Sequence, residues 1–184
     1  YSLQNNGAGS GAHALASGDF NKDGYQDIVV PSAFVGGVLL MNQPGSPGSF
    51  SIVPGKMPVL AGVEIYTIEV ADLNKDGNLD VIGPNYLPGN VVKIISYLGD
   101  GAGNFPSSKE FSVTANTSTS LEGVNDIVIV DLMNNGVLDL ALIRTESSGQ
   151  PGSQSFYMDI YQGNGDGSFG DHQIVSQKLV GAFP

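Results

Sequence analysis

Asp19-Phe20-Asn21-Lys22-Asp23-Gly24-Tyr25-Gln26-Asp27 is the stretch that decides the fold, because the chain writes it three times. It returns as Asp72-Leu73-Asn74-Lys75-Asp76-Gly77-Asn78-Leu79-Asp80, and again as Asp131-Leu132-Met133-Asn134-Asn135-Gly136-Val137-Leu138-Asp139. The first Asp, the Gly at the sixth place and the last Asp stand in all three windows. Self-similarity at a period of roughly 53 to 59 residues marks a repeat architecture, in which one supersecondary unit is copied and stacked.

The flanks of the windows repeat as well. An apolar run precedes each (HALAS, EIYTIEVA, NDIVIV), a second follows it (DIVVP, DVIGP, DLALI), and then comes a third (GVLLMN, VVKIISYLG, FYMDIYQG). Their β-branched and aromatic content suits strands. The third run leads into a glycine turn ending in Phe50, Phe105 or Phe169, and a short fourth run follows (SIV, EFSV, HQIV). No stretch carries a 3.6-residue apolar period long enough for an ordinary helix. The expected fold is all-β: three four-stranded antiparallel repeats of the β-propeller blade type. Residues 11–61, 62–120 and 121–184 are the three blades of a single segment spanning 1–184, and residues 1–10 carry a strand of a preceding blade. The first strand of a blade is expected to be buried on both faces, since Ile68 and Val70 alternate with Ile65 and Thr67, and Ile127 and Ile129 with Val128 and Val130. Propellers close with four to eight blades, so three blades belong to a larger or an assembled ring.

Composition narrows the partners. The 184 residues carry 18 acidic and 7 basic side chains, a net charge of −11, and no Cys or Trp. Nucleic acid and anionic lipid are excluded as partners, since both require clustered Lys and Arg. Membrane insertion is not expected, because no run approaches the roughly eighteen apolar residues of a span. Residues 1–11, YSLQNNGAGSG, lack the regions of a signal peptide. The absence of Cys removes disulfides, thiolate zinc sites and a thiol nucleophile, and leaves the redox compartment open.

Eight of the 18 acids lie in the three windows, so the charge is concentrated where a cation could use it. Oxygen ligands at positions 1, 3 and 5, a Gly at 6 for the reversal and a carboxylate at 9 wrap a chain around a hard cation. An EF-hand needs a bidentate Glu at position 12; Val30, Gly83 and Leu142 stand there, so that motif is excluded. The competing reading is a solvated turn whose Asp and Asn side chains bond nearby backbone. Against it, three carboxylates in one tight loop repel one another, and a divalent cation removes that cost.

These cores, ASGDFNKDGYQDIVV, EVADLNKDGNLDVIG and IVDLMNNGVLDLALI, resemble the FG-GAP/VCBS repeats that form the calcium-binding propeller blades of integrin α-subunit heads and many secreted bacterial proteins. The resemblance implies calcium held through side chains at positions 1, 3, 5 and 9 and the main-chain carbonyl at 7. That places one Ca²⁺ on Asp19, Asn21, Asp23, Tyr25 and Asp27, and a second on Asp72, Asn74, Asp76, Asn78 and Asp80. The third loop, Asp131 to Asp139, departs from the pattern with Met133 at position 3 and Asn135 at position 5, and is expected to be metal-free or weak.

No catalytic set stands out. His13 and His172 lie in different repeats, no G-x-S-x-G elbow is present, and the turn around Asp166 lacks a second acid at ligand spacing. The tyrosines Tyr66, Tyr86, Tyr97, Tyr157 and Tyr161 are expected to pack between blades. The resulting expectation is a non-enzymatic calcium-binding module, extracellular or on the cell surface, that binds a protein or glycan or mediates adhesion. The alternative is a scaffold fragment of a secreted polysaccharide lyase or hydrolase whose catalytic residues lie outside this chain.

Overall fold

The computed structural model of the chain describes residues 14–31, 37–53, 67–87, 91–115, 119–150 and 152–179. The strand expected over residues 1–10 lies outside them, as do His13, Ile65 and Tyr66. Among the described residues there are twelve strands and no helix. The first sheet holds β1 (Ala16–Gly18), β2 (Asp27–Val30), β3 (Val38–Gln43) and β4 (Ser46–Val53). The second holds β5 (Glu69–Ala71), β6 (Asp80–Leu87), β7 (Val91–Leu98) and β8 (Ser107–Val113). The third holds β9 (Ser120–Val130), β10 (Asp139–Ser147), β11 (Ser155–Gly163) and β12 (Phe169–Leu179). Each sheet is an antiparallel meander in chain order. Three such meanders packed in succession have the arrangement of propeller blades, as the repeat pattern predicts.

The sheets pack face to face, and the period-2 alternation of strands assigns side chains to interfaces. Val81, Ile95 and Tyr97 of the second sheet join Phe20, Val29 and Leu39 of the first in one apolar cluster. Ile82 and Ile94, one residue away from Val81 and Ile95, join Leu121, Val124, Ile127, Leu140 and Tyr161 of the third. The middle sheet is thus buried on both faces, which is why β6 reads as a continuous run without polar alternation. Tyr86 adds a polar tie across the second interface: its hydroxyl donates to the Val124 carbonyl at 2.9 Å and accepts from the Val124 N–H at 3.2 Å.

Two expectations are corrected. The first strand of the third sheet is not buried on both faces: Ile127 is 1% exposed, whereas Val128 is 48% and Val130 37% exposed. Among the described residues no fourth sheet covers that side, so the apolar character of Val128 and Val130 goes unused there. The glycine turn of the first blade also differs from the other two. β4 begins at Ser46, inside the turn, and Phe50 pairs with Asn42 along the strand. Phe105 and Phe169 instead come after turns tied by acids: Asp100 accepts from the Ala102 and Asn104 N–H groups, and Asp166 from that of Ser168. The sequence PGSPGS offers no such acid, and the shorter connection lets the hairpin close earlier.

Replacing Tyr86 by Phe strands the Val124 N–H and C=O between two sheets. The variant is expected to lose about 1–3 kcal/mol of unfolding free energy, read as a lower urea midpoint at an unchanged m-value.

Candidate functional site

The three windows form the connections between the first two strands of each sheet, β1–β2, β5–β6 and β9–β10. One reversal is built three times. Position 4 takes a left-handed backbone in all of them, with φ of 59° at Lys22, 60° at Lys75 and 51° at Asn134. Position 6 does so again, at Gly24, Gly77 and Gly136, where φ of 86°, 81° and 77° favours a residue without Cβ.

The side chains at positions 1, 5 and 9 hold this shape through the main chain. The position-1 carboxylate accepts from the N–H groups of positions 5 and 6: Asp19 from Asp23 and Gly24, Asp72 from Asp76 and Gly77, Asp131 from Asn135 and Gly136, all within 2.7–3.1 Å. Position 5 accepts from the N–H of position 7, through Asp23, Asp76 and the amide oxygen of Asn135. Position 9 is fully buried, with 0% exposure at Asp27, Asp80 and Asp139. One of its oxygens accepts from the N–H of position 2, at Phe20, Leu73 and Leu132. The other accepts from the N–H at the end of the third strand, Asn42 at 2.9 Å, Gly99 at 2.8 Å and Gly163 at 3.0 Å.

The ninth residue is therefore a buried clamp between the loop and a strand beyond its hairpin, a role that the spacing of acids alone does not reveal. A signal was present: the third window keeps Asp131 and Asp139 while it abandons position 3, as expected if those acids serve the turn itself.

Position 3 behaves differently. Asn21 and Asn74 each accept from the position-5 N–H at 3.1 Å and donate to the position-5 carboxylate, at 2.9 and 3.0 Å. Met133 does neither, is 43% exposed, and the third loop adopts the same turn without it.

Electrostatics acts alike at the buried acids of the first two loops. Burial pushes the Asp27 carboxyl above its ordinary range, and Asp23 and Asp19 push it further, against the pull of the Asn42 and Phe20 N–H groups. Asp80 is raised likewise by burial, with Asp76 and Asp72 adding to it against Gly99 and Leu73. Asp76 is held low: desolvation opposes this, but the hydrogen bonds from Asn78 and Asn74, with the charge of Lys22, together prevail.

Among the described residues no three His, Asp or Glu side chains gather into a ready-made metal cluster. Each carboxylate is drawn to its own main-chain donors. The donor set of the first two loops still fits a hard divalent cation. Four oxygen-bearing side chains share one turn, and a carboxylate oxygen that accepts one hydrogen bond keeps a second lone pair for a metal. At the ligand positions of the third loop only Asp131, Asn135 and Asp139 bring side-chain oxygen, and the fit is lost.

Residues 19–83, from the first loop through the second, match the family model of the FG-GAP-like repeat. Over this segment the chain is similar to an FG-GAP-like repeat. No curated protein matches the chain. The match covers one period, from one FG-GAP-like loop to the next, and the shared hydrogen bonds carry the same loop geometry to the third window.

A second polar constellation lies away from the FG-GAP-like loops and has no motif to announce it. Arg144, the chain's sole arginine, is 1% exposed and paired with Glu146 and Asp159, both 0% exposed. Its guanidinium carbon stands 4.7 Å from the centre of the Tyr157 ring. These residues share the face of the third sheet that meets the second. Buried pairs of this kind fix which groups may face each other more than they add net stability.

Asp139→Ala is expected to destabilise the chain by about 1–3 kcal/mol, by stranding the buried Gly163 N–H and removing an acceptor from the Leu132 and Met133 N–H groups. Denaturation in excess chelator isolates this clamp from any metal effect; an unchanged midpoint would refute it.

Proposed function

We propose that the chain is a calcium-binding β-propeller module, non-enzymatic, with Ca²⁺ held by the first two loops. Asp19, Asn21, Asp23, Asp27 and the Tyr25 carbonyl form one ligand set; Asp72, Asn74, Asp76, Asp80 and the Asn78 carbonyl form the other. One observation carries the reading. The third loop completes the same turn with a neutral amide at position 5 and a thioether at position 3, so the turn needs neither an oxygen at 3 nor a negative charge at 5. The first two loops have both, and a hard cation is what uses them.

The ion would be structural. It neutralises carboxylates that otherwise repel, and it binds the folded loop in preference to the unfolded chain, so that folding is coupled to ambient calcium. Loops of this composition suit the millimolar calcium outside cells, which supports an extracellular or cell-surface location. There the module would bind a protein or glycan, or serve adhesion. The open face of the third sheet, with Val128, Val130 and Leu132 exposed, suits a further blade of the same kind, supplied by self-assembly or by additional repeats. Its counterparts Phe20 and Leu73 are 2% and 4% exposed because the following sheet covers them.

Calorimetric titration should find two calcium ions per chain. Calcium at about a hundred times its dissociation constant should add about 2.7 kcal/mol per site; equal melting in calcium and in chelator would defeat the proposal. The double variant Met133→Asn, Asn135→Asp should raise the stoichiometry to three, since it supplies the two features that the third loop lacks.

A further inference from the structure

The residue at position 4 contributes no ligand, yet its side chain leaves its own loop. The Lys22 ammonium lies 4.0 Å from where a Cβ on Gly77 would stand, and its Cε 3.2 Å from the corresponding point on Gly101. Gly77 is the sixth residue of the second loop, and Gly101 lies in the glycine turn of the second sheet. The arrangement repeats one blade further on, where the Lys75 ammonium lies 3.9 Å from the corresponding point on Gly136, in the third loop. The left-handed backbone at Lys22 and Lys75, φ 59° and 60°, sets the direction of both side chains. At the equivalent place in the third loop stands the neutral Asn134.

We infer that Lys22 is a charge bridge from the first loop to the second, which offsets the second loop's negative charge and thereby weakens and tunes calcium binding there. This rests on the calcium reading of that loop, and concerns a residue outside its ligand set. The physical ground is simple. A lysine whose ammonium stands beside Gly77 lies next to the residue that follows Asp76, among the acids of the second loop. A divalent cation arriving among those acids meets the ammonium as a like charge, in an exposed setting where the interaction is modest and salt-dependent. The neighbouring loops are thereby coupled in one direction along the chain. The same contact made by Lys75 falls on a loop that lacks the ligand set, so it has no second site to tune.

The test compares Lys22→Met with Lys75→Met by calcium titration at low ionic strength, with the pair Asn74→Met, Asp76→Asn isolating the first site and the pair Asn21→Met, Asp23→Asn the second, since the third loop keeps its turn with those residues. Lys22→Met should tighten the second site by about three- to tenfold, more than it tightens the first, and the gain should shrink as salt is added. Lys75→Met removes a charge from the second loop itself and should tighten that site less than Lys22→Met does. An equal or larger gain at the first site, or a larger gain from Lys75→Met, overturns the inference. A calcium-free measurement separates its failure from that of the calcium reading. In chelator, the urea midpoints of Lys22→Met, Asp76→Asn and the double variant should be non-additive, the loss from Lys22→Met vanishing once Asp76 is neutral. Coupling without calcium binding would retain the bridge and discard the metal. Additive midpoints would discard the bridge.

Discussion

A carboxylate with no exposure to solvent sits at the base of every blade and accepts main-chain N–H groups from two separate pieces of chain. Asp27, Asp80 and Asp139 do this in turn. Burying a charge without compensation is prohibitive, and burying two N–H groups without acceptors is costly; joining them resolves both costs together. The consequence is geometric. The clamp fixes the loop between the first two strands against the end of the third, so the position of the acidic turn follows from the sheet. Any cation held by that turn inherits a rigid platform.

The inter-blade packing depends on the same fixed ends. Gly103, in the turn that follows β7, donates its N–H at 2.9 Å to the Phe20 carbonyl of the preceding loop, and the Phe20 and Phe105 rings meet edge to face at 5.8 Å. A Cβ on Gly103 would stand 3.1 Å from the Met41 methyl, and one on Gly167 2.5 Å from Leu98. The glycine turns of the second and third sheets thus tuck against the third strand of the blade before each. Side chains at those places would hold the sheets apart. Because the second and third sheets present a turn backwards and the first and second a loop forwards, the contact is directional, and the same directionality reappears in the course of Lys22.

Much of this was legible in the sequence because it is periodic. The four runs of each repeat became four strands, and position 2 of each window, which reads as a minor apolar residue, became the plug of the following interface at Phe20 and Leu73. What the sequence hid was of two kinds. Val128 and Val130 carry the pattern of a strand buried on both faces, but burial depends on what lies alongside, and no pattern within the strand states that. Arg144 and Glu146 share one face of β10 by their spacing, but Asp159 joins them only through the pairing of β10 with β11, a registry that no local spacing encodes. The ninth carboxylate was visible as a residue, while its partners at Asn42, Gly99 and Gly163 lie a hairpin away.

The three loops also separate two demands that a motif runs together. Positions 1, 5, 6 and 9 are accounted for by hydrogen bonding and backbone conformation, since Asp131, Asn135, Gly136 and Asp139 suffice to build the turn. An acidic loop of this shape is therefore not in itself a sign of metal. The information resides in what exceeds the requirement of the turn, namely oxygen in place of sulfur at position 3 and a full charge in place of an amide at position 5. The charge at position 5 is unfavourable for the loop alone, because it raises the repulsion felt by Asp27 and Asp80. A chain that carries both additions twice and omits them once has two loops whose electrostatics are unfinished, and a divalent cation is the simplest species that completes them.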